Sequence, residues 1–108
     1  ITVKGKSNSS GTTRFEWEKE ISVTDAQDLL ELAEKGSIEK HRFFIKKNHH
    51  IFEVDEFLGD NLGLIVAEVE LTSENETFDC PNWLGDEVTG DERYYNSSIS
   101  KFPYKLWV

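Results

Sequence analysis

Ile38-Glu39-Lys40-His41-Arg42-Phe43-Phe44-Ile45-Lys46-Lys47, then Asn48-His49, then His50-Ile51-Phe52-Glu53-Val54-Asp55-Glu56-Phe57, is the stretch that decides the fold. Two extended runs rich in aromatic and β-branched residues flank two turn-forming residues, which predicts a β-hairpin of Glu39–Lys47 and His50–Phe57. Side chains alternate across a strand. Lys40 and Arg42 therefore share one face, with Phe43 and Ile45 opposite, and Glu53 and Asp55 share one face, with Val54 opposite.

Working outward, the Gly59-Asp60-Asn61 turn leads to a strand over Leu64–Leu71, with Glu68 and Glu70 on one face and Ala67, Val69 and Leu71 on the other. Ser73-Glu74-Asn75-Glu76 resembles a first helical turn, which Pro81 ends. Beyond Pro81 the chain reads as irregular, with Trp83, Val88, Tyr94, Phe102 and Trp107 as apolar anchors. Upstream, Thr24–Lys35 reads as a helix: Thr24 and Gln27 form a capping box, Ala26, Leu29, Leu30 and Ala33 an apolar stripe, and Gly36 the stop. Ile1–Lys6 and Arg14–Ile21 read as a second hairpin around the polar turn Ser7–Thr13. In Arg14–Ile21 one face carries Arg14, Glu16, Glu18 and Glu20. Five strands, one clear helix and an ordered tail make an α+β domain.

The 108 residues carry 12 Lys and Arg against 21 Asp and Glu, a net charge of -9. That balance argues against nucleic acid or an anionic membrane as partner. Mean hydropathy is -0.54, and no apolar run is long enough to cross a bilayer. The single cysteine, Cys80, rules out an internal disulfide and fits a reducing, cytoplasmic setting as an inert thiol. Asn8, Asn75 and Asn96 begin glycosylation triplets that matter only in a secreted protein. His49 and His50 fall in a hairpin turn, where adjacent side chains point apart, and His41 lies opposite Lys40 and Arg42.

The charges are segregated rather than mixed. Acids pair at Glu16/Glu18, Glu53/Asp55 and Glu68/Glu70, and bases at Lys40/Arg42. Like charges two apart on a strand lie about 6.6 Å apart and repel by roughly 2.5 kcal/mol at an effective dielectric of 20. A divalent cation offsets the acids and a polyanion offsets the bases. Oxygen-only donors suit Mg²⁺ or Mn²⁺, whereas a zinc site would need Cys or clustered His. The faces alone thus imply metal-assisted polyphosphate binding.

Thr2-Val3-Lys4-Gly5-Lys6, Arg14-Phe15-Glu16-Trp17-Glu18, Ile38-Glu39-Lys40-His41-Arg42, Phe52-Glu53-Val54-Asp55-Glu56-Phe57 and Ala67-Glu68-Val69-Glu70-Leu71 occur in this order, followed by the run Trp83 to Asn96. Together they resemble successive segments of CYTH domains, the triphosphate tunnel metalloenzymes. The resemblance implies an antiparallel β-barrel, a tunnel lined by charged side chains, with flanking helices. It implies that Lys4, Lys40 and Arg42 hold phosphate oxygens, with Arg93 and Lys101 as further basic contacts. Glu16, Glu18, Asp55, Glu68 and Glu70 would face the metal, Mg²⁺ or Mn²⁺. The family's Glu-x-Glu-x-Lys and Arg-x-Arg strands and its Lys-Tyr pair do not occur. Residues 1–108 are therefore expected to be the C-terminal two thirds of a CYTH domain, lacking the first strands.

The activity implied is metal-dependent hydrolysis of inorganic triphosphate or a relative such as thiamine triphosphate. No residue reads as the general base, so the catalytic residues are unassigned. Two alternatives stand beside it: a class IV-type adenylate cyclase making cyclic AMP, and a non-catalytic polyphosphate-binding fragment. The partner expected is a small-molecule triphosphate, together with a second copy of the chain paired through open barrel edges. Replacing Lys40 and Arg42 together by Ala is expected to weaken triphosphate binding and leave the fold intact.

Overall fold

The computed structural model describes residues 1–7, 14–73 and 75–107. The chain divides into two compact units, Ile1–Glu34 and Lys35–Val108.

The first unit holds a hairpin and a helix. β1 (Thr2–Ser7) and β2 (Arg14–Glu18) pair antiparallel, with Val3 opposite Trp17 and Lys4 opposite Glu16. The ladder runs one step further: the Ile1 amine donates to the Lys19 carbonyl at 2.6 Å, and the Lys19 N–H returns a bond to the Ile1 carbonyl at 2.9 Å. The expected turn at residues 8–13 lies outside the described residues. Helix α1 spans Val23–Glu31. Its cap is Ser22, not Thr24: Ser22 is extended (φ -69°, ψ 156°), and its hydroxyl accepts from the Asp25 N–H at 3.0 Å. Starting the helix one residue earlier satisfies that orphan donor and leaves Thr24 inside the first turn. The helix also stops at Leu32, before the expected Lys35.

The second unit is built on an antiparallel meander of β3 (Lys40–Lys47), β4 (His50–Phe57) and β5 (Ile65–Val69), with β4 central. β3 and β4 meet at a two-residue turn where Asn48 takes φ 55°. Asparagine tolerates that left-handed geometry, and such a turn matches the twist of the strands. The Asn48 amide also bonds the Asp79 carboxylate. The register places Arg42 opposite Asp55, Phe44 opposite Glu53, and Glu53 opposite Glu68. Directly opposed residues share a face, so the charged faces read strand by strand become one surface. The reverse face carries Phe43, Ile45, Phe52, Val54, Ala67 and Val69.

The segment after β5 packs on both faces. On the apolar side Phe52 is 1% exposed and meets Phe78 and Trp83 edge-on, at 6.0 and 5.6 Å. At one end of the charged side Phe57, Leu64 and Ile99 are buried, with Ile38, Val66, Tyr94, Tyr104 and Trp107 against them. Of the expected anchors, Tyr94 and Trp107 pack as read, Trp83 meets Phe52 but stays 45% exposed, Val88 is half-buried, and Phe102 is 55% exposed. Ile99 of the short helix α2 (Asn96–Ile99) fills the core position instead. The helical turn expected at Ser73–Glu76 includes Glu74, which lies outside the described residues. Around it, Glu76 accepts from the Thr72 N–H at 2.8 Å. The strands form one two-stranded and one three-stranded sheet, and among the described residues no closed barrel is formed.

Gly36 does not end the helix; it sits against α2. Its φ is +94°, and a Cβ there would lie 2.1 Å from the Ser100 carbonyl oxygen. We expect Gly36→Ala to cost more than about 1 kcal/mol from the left-handed backbone alone, before any clash is counted. Gly85, with nothing within 4 Å, is the control. Thermal unfolding should show a lower Tm for Gly36→Ala and an unchanged one for Gly85→Ala; equal midpoints would refute the close approach.

Candidate functional site

Asp55 organises the charged face of the three-stranded sheet. It is 3% exposed, on the central strand. A buried carboxylate is stable only when its charge is matched and its lone pairs are filled. Arg42, directly across the ladder, donates from Nε to Oδ1 at 2.7 Å and from Nη2 to Oδ2 at 2.9 Å. Lys40, two residues along the same face, donates from Nζ to Oδ2 at 2.7 Å. The Lys40 ammonium also lies 5.4 Å from the Phe57 ring centroid, a cation–π contact that ties it to the buried cluster. Burial alone pushes the Asp55 carboxyl up; the bonds and charges of Arg42 and Lys40 outweigh it and hold the group below its ordinary value. The bond to Asp55 raises Arg42 in turn, with Glu53 and Glu68 adding to the effect.

Arg42 joins the two halves of the face. Its Nη1 lies 3.2 Å from Glu53 Oε2, and Glu53 is paired in register with Glu68. A guanidinium has five N–H donors and an ammonium three. Among the described residues Arg42 makes two hydrogen bonds and one ion pair and Lys40 one hydrogen bond, so each keeps N–H groups for a ligand. Beside them a depression of about 290 Å³ is lined by Glu53, Glu68 and Glu70, with Phe44, Ile51, His49 of the turn and His50 of β4.

Five of the expected site residues thus fall on this face: Lys40, Arg42, Asp55, Glu68 and Glu70. Asp55, expected among the metal-facing acids, has both oxygens occupied by cations. The expectation that Lys40→Ala with Arg42→Ala spares the fold is also revised, because it would leave Asp55 buried and unmatched. Glu53 was legible as Asp55's neighbour but not as the partner of Arg42, which only the register shows. Among the described residues no three His, Cys, Asp or Glu side chains are gathered closely enough to hold a metal ion.

The other expected residues lie elsewhere. Lys4 Nζ is 3.6 Å from Glu16 Oε1 within the first unit, both side chains about half exposed, and Glu18 ends β2 opposite Thr2. Arg93 is held by Asp91, with Nη2 to Oδ2 at 2.8 Å, and packs over the Tyr94 and Trp107 rings. Its charge is met there, and among the described residues no ion pair links it to Lys40 or Asp55. Lys101 is exposed. His50 is half-buried, edge-on to Phe78 at 6.2 Å, with Nε2 3.6 Å from Glu76.

The chain is similar to known proteins. A curated inorganic triphosphatase of Acetivibrio thermocellus is 52% identical over 106 residues, covering 97% of this chain and 67% of the relative. One of Nitrosomonas europaea is 38% identical over 93 residues, covering 83% of this chain and 62% of the relative. A crystal structure of an inorganic triphosphatase superposes with a TM-score of 0.66 at 36% identity, over 88% of this chain and 64% of that one. The chain therefore spans about two thirds of the length of the relatives it matches. The sequence model of the CYTH domain matches residues 1–103, and the chain belongs to the CYTH family.

Proposed function

We propose that this chain is the part of a triphosphatase that receives inorganic triphosphate, and that the reaction is metal-assisted hydrolysis to pyrophosphate and orthophosphate. The observation that carries the reading is the Lys40–Asp55–Arg42 cluster beside Glu53 and Glu68 on one rigid sheet face. The two inorganic triphosphatase relatives support the same substrate.

The roles follow from charge. Lys40, Arg42 and Lys46 stand against Glu53, Asp55, Glu68 and Glu70, which leaves this face one negative charge in excess. A triphosphate anion needs added positive charge to dock there. Glu53, Glu68 and Glu70 offer oxygen donors only, which fits Mg²⁺ or Mn²⁺, ions commonly held by one or two carboxylates plus substrate phosphates. When bound, such an ion neutralises phosphate charge. The remaining N–H groups of Lys40 and Arg42 bind the phosphate oxygens and meet charge that develops as water attacks the terminal phosphorus in line. Lys4, Glu16 and Glu18 remain candidates for phosphate and metal contact from the CYTH resemblance alone, as does Arg93 for phosphate. No described helix is long and apolar enough to cross a membrane, and a reducing cytoplasm suits the exposed Cys80.

The direct test is phosphate release from tripolyphosphate. We expect release with Mg²⁺ or Mn²⁺, none with EDTA, and affinity about ten-fold weaker in Lys40→Gln, which removes one charge and leaves Arg42 on Asp55. No release and no binding by the wild-type chain would overturn the reading.

The Asp55 cluster also sets an acid limit. A carboxylate whose pKa is lowered by folding contributes stability in full above its unfolded pKa, and loses it as pH falls through the folded value. Asp55 is lowered from 3.8. Its contribution should thus be intact at neutral pH and fade only below about pH 4. Melting curves from neutral to acid pH should show a shallower acid loss in Asp55→Asn than in wild type; parallel profiles would contradict it.

Among the described residues, strands β3 and β5 are the edges of their sheet, and no further strand pairs with their outer sides. We propose that a second copy pairs there. Light scattering at high concentration should give a mass above the 12.5 kDa of one chain; a value of one chain at every concentration would exclude it.

A further inference from the structure

We propose that Asp55 is a positioning residue: it sets the Lys40 ammonium and the Arg42 guanidinium at one fixed spacing, and that spacing selects a triphosphate chain over a shorter phosphate. The inference rests on reading this face as phosphate-binding, and assigns Asp55 a role other than holding metal.

The geometry supports it in three ways. Oδ2 already accepts two charge-assisted bonds, from Lys40 at 2.7 Å and Arg42 at 2.9 Å, and Oδ1 accepts a third at 2.7 Å. These bonds fill three of the roughly four lone-pair sites of the carboxylate, and at 3% exposure it leaves little access for a cation at the fourth. Second, the cluster is anchored at every member. Arg42 is paired in register with Asp55 and held by Glu53 on its far side, while Lys40 lies over the Phe57 ring, which is 2% exposed. Third, Glu68 and Glu70, which make no ion pair among the described residues, line a depression that adjoins the cluster through Glu53. Lysine and arginine are long and flexible, and unheld they would fold around any anion. Held by one buried carboxylate, they present donors at a set separation, and a preorganised receptor discriminates by shape as well as charge.

Titration calorimetry on the wild-type chain and Asp55→Asn tests this with tripolyphosphate and pyrophosphate at fixed Mg²⁺, then with Mg²⁺ varied at fixed tripolyphosphate. We expect Asp55→Asn to reduce the preference for tripolyphosphate on the order of ten-fold, within the coupling seen between charged groups in contact. The Mg²⁺ midpoint should not move. A shifted midpoint with preference intact would make Asp55 a metal ligand and overturn the proposal. Equal weakening toward both anions would make it a structural residue and also overturn it. Should the variant fail to fold, the wild type decides by NMR. The Arg42 Nε–H resonance should stay in place and exchange slowly when Mg²⁺ alone is added; its displacement would refute the role. A wild type that binds neither anion would defeat the functional reading, while the Arg42 resonance would still report whether Asp55 is committed to the cations.

Discussion

A carboxylate removed from water on the central strand of a small sheet must bring its counter-charges with it. Asp55 does so with two cations that arrive by different routes. Arg42 is directly across the ladder, and Lys40 comes from two residues along the same face. Removing one partner of such a buried group is far costlier than the interaction is worth in isolation. The cluster therefore constrains much else in this unit. β3 must pair with β4 in this register, Phe57 must stay beneath Lys40, and Glu53 must reach Arg42.

The apolar packing holds that cluster from one end. Phe57, Leu64 and Ile99 form a buried knot to which Tyr94, Tyr104 and Trp107 add their rings. The Trp107 ring meets Tyr94 at 5.1 Å and Tyr104 at 5.2 Å, edge-on in both cases. Buried Asn61 adds a polar tie by accepting the Tyr104 N–H at 2.8 Å. The long irregular tail is thus ordered through side chains rather than ladders. That suits a segment whose backbone groups are mostly satisfied by short turns.

Much of this was legible in the amino-acid order, for a physical reason. Alternation is a local property, so the hairpin from β3 to β4, and the separation of Lys40 and Arg42 from Phe43 and Ile45, follow from neighbours alone. Register is not local. Nothing in either strand by itself says that Arg42 stands opposite Asp55, so Asp55 read as one more acid for a metal when it is matched by cations. Ser22 and Thr24 both suit a cap, and the backbone selects between them by becoming extended at Ser22. Phe102 reads as an anchor from its apolar ring alone, yet the turn of α2 places Ile99 in the core instead. The expected barrel depends on pairings beyond the two sheets described, which patterning within a strand does not specify.

The two-residue turn at Asn48 and His49 has an evolutionary consequence. Strand faces repeat with a period of two, so parity matters more than length. One residue inserted at this turn, if absorbed by slipping β4 one step, would carry Asp55 to the aromatic side, set Val54 opposite Arg42, and leave Glu56 as the one β4 acid opposite the two bases. Insertions around Gly85 and Gly90, which have open space beside them, disturb no such pairing. Length variation among homologues should therefore be tolerated in the tail and purged from this hairpin, making the turn a ruler by which descendants of this sheet keep their charges facing one another.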